Sequence, residues 1–166
     1  MITPTIAPDA TISVLHTSTP YGNGIFDALQ RRLPAGRVRS HPFGTDGKGL
    51  AEALKAADAE TPGALVIASS AALAAQIFGQ RGQFEHLAKL PVFLSDGSCD
   101  SDLPDQKPAG GASMVSLCTR PGQPPSQAYQ LFQVNYKAKF GKDPAESSYT
   151  AHAYDVVWSL ALAHAW

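Results

Sequence analysis

Five apolar residues in a row, Ala64-Leu65-Val66-Ile67-Ala68, stand between the breakers Pro62-Gly63 and the pair Ser69-Ser70. A strand with one wet face alternates apolar and polar residues. An unbroken run of this length marks a strand covered on both sides, which calls for helices above and below a parallel sheet. The flanking chain supplies that alternation. Thr11 to His16 reads as a strand, and Ser18 or Thr19 can then cap a helix with Pro20 at its first position. Ile25, Leu29 and Leu33 form that helix's apolar stripe, which stops at Pro34. Gly36 to His41 is a shorter, more polar strand, expected near an edge. Asp46 is the expected cap of the next helix, whose inward positions are Leu50, Ala53, Leu54 and Ala57.

Beyond the central run, Ser69 and Ser70 open a helix with Leu73, Ile77 and Phe84 as core candidates. Pro91 to Ser95 reads as a fourth strand and Ala112 to Cys118 as a fifth. A helix carrying Leu131, Phe132, Val134 and Phe140 then closes at Gly141. The pattern as a whole is an α/β sandwich with a mainly parallel sheet. The last segment, Tyr149 to Trp166, has Asp155 as its one Asp, Glu, Lys or Arg and is apolar most of the way round. Such a helix needs neighbours on several sides. It predicts an apolar patch at Val157, Leu160 and Trp166, and an expectation that the chain is cut inside a larger fold.

Charge narrows the class of partner. Charged residues make up 16% of the chain and the formal net charge is −1. Nucleic-acid binding by counterion release needs a basic face, so nucleic acid is excluded as the main partner. Cys99 and Cys118 are too few for a disulfide scaffold and match no zinc spacing. An oxidising compartment would join them, and a reducing one would leave two thiols. Residues 1–8 carry no basic region followed by an apolar one, so they do not read as a secretory signal. The longest apolar stretch, Ala64 to Phe78, is interrupted by Ser69, Ser70 and Gln76 and falls short of a bilayer span.

In an open parallel sheet, ligands sit beyond the carboxyl ends of the strands. The candidate loops are therefore His16 to Tyr21, Ser69-Ser70, Ser95 to Asp100, and the region after Cys118. Ser18 and Thr19 place hydroxyls at a helix N-terminus, where free N–H groups suit an anion or a carbonyl oxygen. Tyr21 adds a flat wall with a phenol, although it also suits a staple against its own helix. Ser69 and Ser70 repeat the arrangement and equally suit plain capping. Asp96 is placed to grip a ligand ammonium or hydroxyl, or to make a turn with Gly97.

Enzymatic signals are thin. Gly22-Asn23-Gly24 is followed by Asp27 where a dinucleotide fingerprint needs its third glycine. No phosphate-binding loop or serine-nucleophile elbow occurs. His16, His41, His86, His152 and His164 show no metal-ligand spacing and read as surface or hydrogen-bonded core residues. Asp100, Asp102 and Asp105 lack the register of a calcium loop. No catalytic constellation, metal site or cofactor is expected.

Three ordered stretches carry a family resemblance. Ile12-Ser13-Val14-Leu15-His16 followed by Pro20-Tyr21-Gly22-Asn23-Gly24 resembles the strand and "YG" helix that open the second lobe of type I periplasmic binding proteins. Leu90-Pro91-Val92-Phe93-Leu94-Ser95-Asp96-Gly97 resembles that lobe's later strand and ligand loop. Phe132 to Pro144 and then Tyr149-Thr150-Ala151-His152-Ala153-Tyr154-Asp155 resemble the family's "Y…FG..P…YDA" signature. From about residue 10 onward, order and spacing are similar to the branched-chain amino-acid receptors of ABC transporters.

The resemblance implies a Rossmann-like three-layer lobe, one of two that close by a hinge on a small ligand. It divides the chain into a leader or linker at 1–10, the second ligand-binding lobe at 11–145, and a helix at 146–166 returning toward a first lobe. Tyr21 matches the cleft-lining tyrosine, Asp96 an acidic position that pairs with a ligand ammonium, and Tyr149 an aromatic cleft position. Ser69 and Ser70 stand where amino-acid receptors often present an aromatic residue. The implied function is solute binding for an ABC importer, with an amino acid or related molecule as ligand and an ABC permease as partner. The implied location is periplasmic or extracytoplasmic. With the first lobe outside this sequence, the chain alone is expected to bind such ligands weakly, and its last helix to offer a route to self-association. A ligand-sensing regulatory module of the same fold is the alternative, with a Rossmann-like enzyme behind it.

Overall fold

The computed structural model describes residues 6–99, 116–120, 122, 126–147 and 149–165. Two compact units divide the chain, Met1–Thr119 and Arg120–Trp166.

The first unit holds a five-stranded sheet: β1 (Ile12–Thr17), β2 (Val38–Phe43), β3 (Ala64–Ala68), β4 (Val92–Leu94) and β5 (Ser116–Cys118). Every pairing is parallel and the spatial order is β2-β1-β3-β4-β5. The apolar run read as doubly covered is the central strand. The polar one, shifted two residues onward to Val38–Phe43, is an edge, where Pro42 costs no ladder bond that a neighbour would need. Of the fifth expected strand, only 116–118 falls among the described residues. The acidic positions Asp100, Asp102 and Asp105 lie outside them, as does Trp166.

Three helices join these strands: α1 (Pro20–Arg32), α2 (Leu50–Ala59) and α3 (Ala71–Arg81). The two-residue period of β3 sends Leu65 and Ile67 to one face and Val66 to the other. Leu65 and Ile67 meet Leu54 and Ala57 of α2 and Leu73, Ala74 and Ile77 of α3 in the main core. Val66 lines an apolar hollow with Ile25 and Leu29 of α1. Leu54, Leu65 and Ile77 are fully buried, so truncating any of them to alanine costs about 2–5 kcal/mol.

Helix ends follow the sequence with one correction. Thr19 caps α1 through its hydroxyl, Pro20 takes the first position, and Arg31 and Arg32 sit in the last turn, where the helix dipole favours cations. Ser70 caps α3. Asp46, however, does not cap α2: the helix starts after Gly49, whose φ is +83°. Gly47 shares that left-handed φ, and the chain coils between Gly44 and Leu50 before the helix begins. Asp46 is used inside this coil, accepting the Lys48 N–H at 3.0 Å. Two consecutive left-handed turns need glycine, and they move the helix start beyond the reach of Asp46.

Cys99 and Cys118 form a disulfide, with Cα atoms 5.8 Å apart. It ties the chain just after β4 to the last residue of β5. Arg37 holds the entry segment, donating from Nε to Ala10 O at 2.6 Å and from Nη1 to Pro8 O.

The second unit contains α4 (Gln127–Phe140) and α5 (Thr150–Ala165). Ser126 caps α4, and Gly141 ends it in the left-handed conformation with φ +69°. Val156, Val157, Leu160 and Leu162 of α5 are exposed. Among the described residues no helix is long and apolar enough to cross a membrane.

Candidate functional site

The strand order reverses between β1 and β3, because β1 leads outward to β2 while β3 leads the other way to β4. At such a switch point the loops leaving the two strands diverge and open a crevice at their carboxyl ends. An open depression of about 450 Å³ lies there, lined by Thr17, Tyr21, Thr45, Ser69, Ser70, Leu73 and Gly97. None of these lining residues is cationic.

Three loops converge on it through hydrogen bonds that span the fold. Tyr21, in the first turn of α1, donates its phenol proton to Asp96 Oδ1 at 2.5 Å. The Tyr21 phenol oxygen in turn accepts the Gly97 N–H at 3.1 Å. Tyr21 thereby bridges the loop after β1 to the short helical turn Asp96–Ser98 after β4. Burial pushes its phenol above the ordinary tyrosine value, and the hydrogen bond to Asp96 pushes the same way. A carboxylate facing the phenol opposes a second negative charge beside it.

Ser98 is the hub beneath. Its hydroxyl is fully buried and accepts the Ser69 N–H at 2.9 Å. In return its proton lies between two carbonyls, Ser69 O at 2.9 Å and Ile67 O at 3.1 Å. The turn after β4 is thus stitched to the end of β3. Gly97 passes so close that a Cβ there would meet Ser69 O and Tyr21 Oη, both at 3.1 Å.

Glycine is decisive once more in α1. A Cβ on Gly22 would lie 2.1 Å from Thr17 O, so the helix approaches the end of β1 only because residue 22 has no side chain. The Gly22 N–H donates to Thr19 Oγ1 at 3.2 Å, which orients the capping loop. Ser18 anchors that loop by donating its N–H to Phe43 O at 2.8 Å.

Of the expected site residues, Tyr21, Ser69 and Ser70 share the depression, and Asp96 joins them through the Tyr21 phenol. Ser18 and Thr19 belong to the same loop as Tyr21 without lining the depression. Tyr149 lies in the second unit, where its backbone N–H donates to Ser147 Oγ at 3.4 Å. Gly97 and Ser98 fall inside the candidate loop Ser95 to Asp100 without having been singled out, while Thr45 had no signal as a functional position and Leu73 was read only as a core residue.

Three of the histidines, His16, His41 and His86, carry structure. His16 stacks on Phe26 with centroids 5.6 Å apart and bonds Ser40 Oγ at 2.8 Å. His41 reaches Ser13 Oγ at 3.1 Å and the Glu60 carboxylate at 3.4 Å, and His86 reaches Pro62 O at 2.6 Å. Burial lowers the His41 pKa, with Glu60 opposing. At the far ends of the strands, Arg81 is buried against Phe78 and donates to Ala88 O and Leu90 O. Its pKa falls to about 10 through burial. Among the described residues no group of three or more His, Cys, Asp or Glu stands ready to hold a metal ion.

No family model matches the chain, and no curated protein matches it in sequence. Solved structures do match its fold. A fatty acid ABC transporter substrate-binding protein from Thermomonospora curvata aligns with TM-score 0.59 at 19% identity, over 81% of this chain and 36% of that one. An extracellular ligand binding receptor from Desulfohalobium retbaense gives TM-score 0.62 at 18% identity, over 94% of this chain and 27% of that one. The branched-chain amino acid transporter substrate binding protein LivJ from Streptococcus pneumoniae, solved with isoleucine, gives 0.61 at 23% identity, over 91% and 43%. The chain therefore spans less than half the length of each of these structures. Its architecture is that of one lobe of a type I periplasmic binding protein.

Proposed function

We propose that this chain is one lobe of the solute-binding component of an ABC importer, taking a small polar or amino-acid-like ligand at the mouth of its switch point. The observation that carries this reading is the Tyr21–Asp96–Gly97 network, which joins the loops after β1 and β4 beside the depression. In this reading 11–145 is the second ligand-binding lobe, 1–10 its leader and 146–166 the return toward a first lobe. Tyr21 is the flat wall on which a ligand rests, and Asp96 the countercharge for an ammonium or the acceptor for a hydroxyl. Ser69 and Ser70 present hydroxyls and helix-terminal N–H groups to the ligand's polar atoms, while Ser18 and Thr19 act on the ligand through the loop that sets Tyr21 in place. The described lining residues carry no cation, and the Asp96 carboxylate is bound to the Tyr21 phenol, which supports a ligand whose end at this lobe is neutral or positive.

Enclosure supplies most of a small ligand's buried area, so a single lobe holds it weakly. Affinity and transport require closure of a hinge onto the other lobe, with ligand contacts favouring the closed state. The permease partner and an extracytoplasmic location belong to that whole protein.

The test is amide NMR of this chain titrated with a panel of L-amino acids and small polar solutes. Millimolar ligand should shift the amides of Tyr21, Ser69, Ser70, Asp96 and Gly97, and Asp96→Asn should abolish the shifts given by ammonium-bearing ligands. Shifts confined to other surfaces, or none at all, overturn the site. Micromolar affinity from this chain alone overturns the single-lobe reading.

A further inference from the structure

The second unit contains a recess that the reading above leaves unused. It has a volume of about 220 Å³ and lies between the first turns of α4 and α5, with Tyr129, Phe132, Tyr154, His152, Asp155 and Ser126 among its lining residues. Phe132 meets Tyr154 with centroids 4.9 Å apart and planes inclined at 47°. Tyr129 meets Phe132 at 6.1 Å and 31°. The three rings are tilted rather than stacked parallel.

Aromatic faces carry negative charge density and attract a cation within about 6 Å of the ring centre. Asp155 adds a full negative charge to the same wall and is the one Asp, Glu, Lys or Arg of α5. An anion meets repulsion from both features, and a neutral apolar molecule draws nothing from the carboxylate. A compact organic cation satisfies both at once, its methyl or methylene groups on the rings and its charge toward Asp155. We infer that this recess binds a small free molecule bearing an alkylated ammonium group. All its residues belong to the second unit, so it is independent of the Tyr21–Asp96 site and either can fail without the other.

Choline is the probe, set against the neutral alcohol in which carbon replaces its nitrogen. Calorimetry and ring-proton NMR on the whole chain should show saturable millimolar binding of choline, with shifts at Tyr129, Phe132 and Tyr154. The neutral isostere should bind about tenfold more weakly, because it keeps the shape and loses the charge. Asp155→Asn and Tyr154→Leu should each weaken choline about fivefold with the far-ultraviolet circular dichroism unchanged. If Tyr154→Leu fails to fold, Asp155→Asn decides, because its side chain is on the surface and nearly isosteric. Equal affinity for choline and its isostere, indifference to Asp155→Asn, or no shift at the three rings overturns the inference.

Discussion

Tyr21 and Asp96 lie 75 residues apart in the chain and share a hydrogen bond of 2.5 Å. The bond exists because β1 and β4 run in the same direction on either side of β3, which brings the loops at their carboxyl ends to the same edge of the sheet. One phenol therefore couples a helix start to a turn that no local signal connects to it.

Tyr21→Phe keeps the ring and removes both bonds of the hydroxyl. The expected loss is about 0.5–1.5 kcal/mol in urea unfolding, since the site is partly wet. The pH dependence has a definite sign. The folded phenol has its pKa raised above 10.0, so its contribution is complete below that value and fades as pH rises through the folded pKa. Ultraviolet titration should show one tyrosine ionising late, and Asp96→Asn should bring it down. A wild-type titration in which all tyrosines ionise together refutes the coupling.

Gly22 and Gly24 form a natural control pair in α1. Alanine at 22 drives a Cβ to 2.1 Å from the Thr17 carbonyl, whereas at 24 nothing lies within 4 Å. Gly22→Ala should cost about 1–3 kcal/mol or more by forcing the helix off β1. Gly24→Ala should stabilise by about 0.5–1 kcal/mol, because helix interiors favour alanine. Denaturant midpoints moving in the same direction for both variants would contradict the close approach.

The Cys99–Cys118 bridge closes a loop of separation 19 and anchors the turn that carries Asp96. Its removal, by Cys99→Ser with Cys118→Ser or by reductant, should lower stability by about 2–4 kcal/mol. Amides of Asp96, Gly97 and Ser98 should lose hydrogen-exchange protection before those of β3. Uniform loss across the sheet would show that the bridge does not act on this turn.

Acid sensitivity is expected from His41. Burial holds its folded pKa below the ordinary 6.5, and Glu60 opposes that shift. A depressed folded value means the unfolded chain takes up the proton first. Stability is therefore full above pH 6.5 and declines as pH falls toward the folded pKa. Glu60→Gln removes the opposing charge, so the His41 ring protons should titrate at still lower pH. An upward movement in that variant would reverse the assignment of causes.

The elements themselves were open to reading because their signals are local. Five apolar residues between breakers specify a covered strand, and Pro20 after Thr19 specifies a helix start, wherever in space they come to lie. The misplaced start of α2 shows the limit of such signals. Asp46 has the chemistry of a cap, and only the left-handed turns at Gly47 and Gly49 put the helix out of its reach. Ser69 and Ser70 were legible as residues at a strand's carboxyl end. The hub role of Ser98 was not, since its partners Ile67 and Ser69 are about thirty residues upstream.

By itself, then, the sequence determined which segments are strands and helices and that the sheet must be covered on both sides. It also determined which loops follow strand ends, because periodicity and turn chemistry act over a few residues. Tertiary structure alone decided that β1 and β3 diverge, that Tyr21 meets Asp96, that Gly22 rather than Gly24 is indispensable, and that Cys99 finds Cys118. The Gly22 contact, with Thr17 five residues upstream, depends on how closely α1 folds back along β1; the others depend on the lateral order of strands, which is set by long-range packing against a shared core and leaves no periodic trace in the chain.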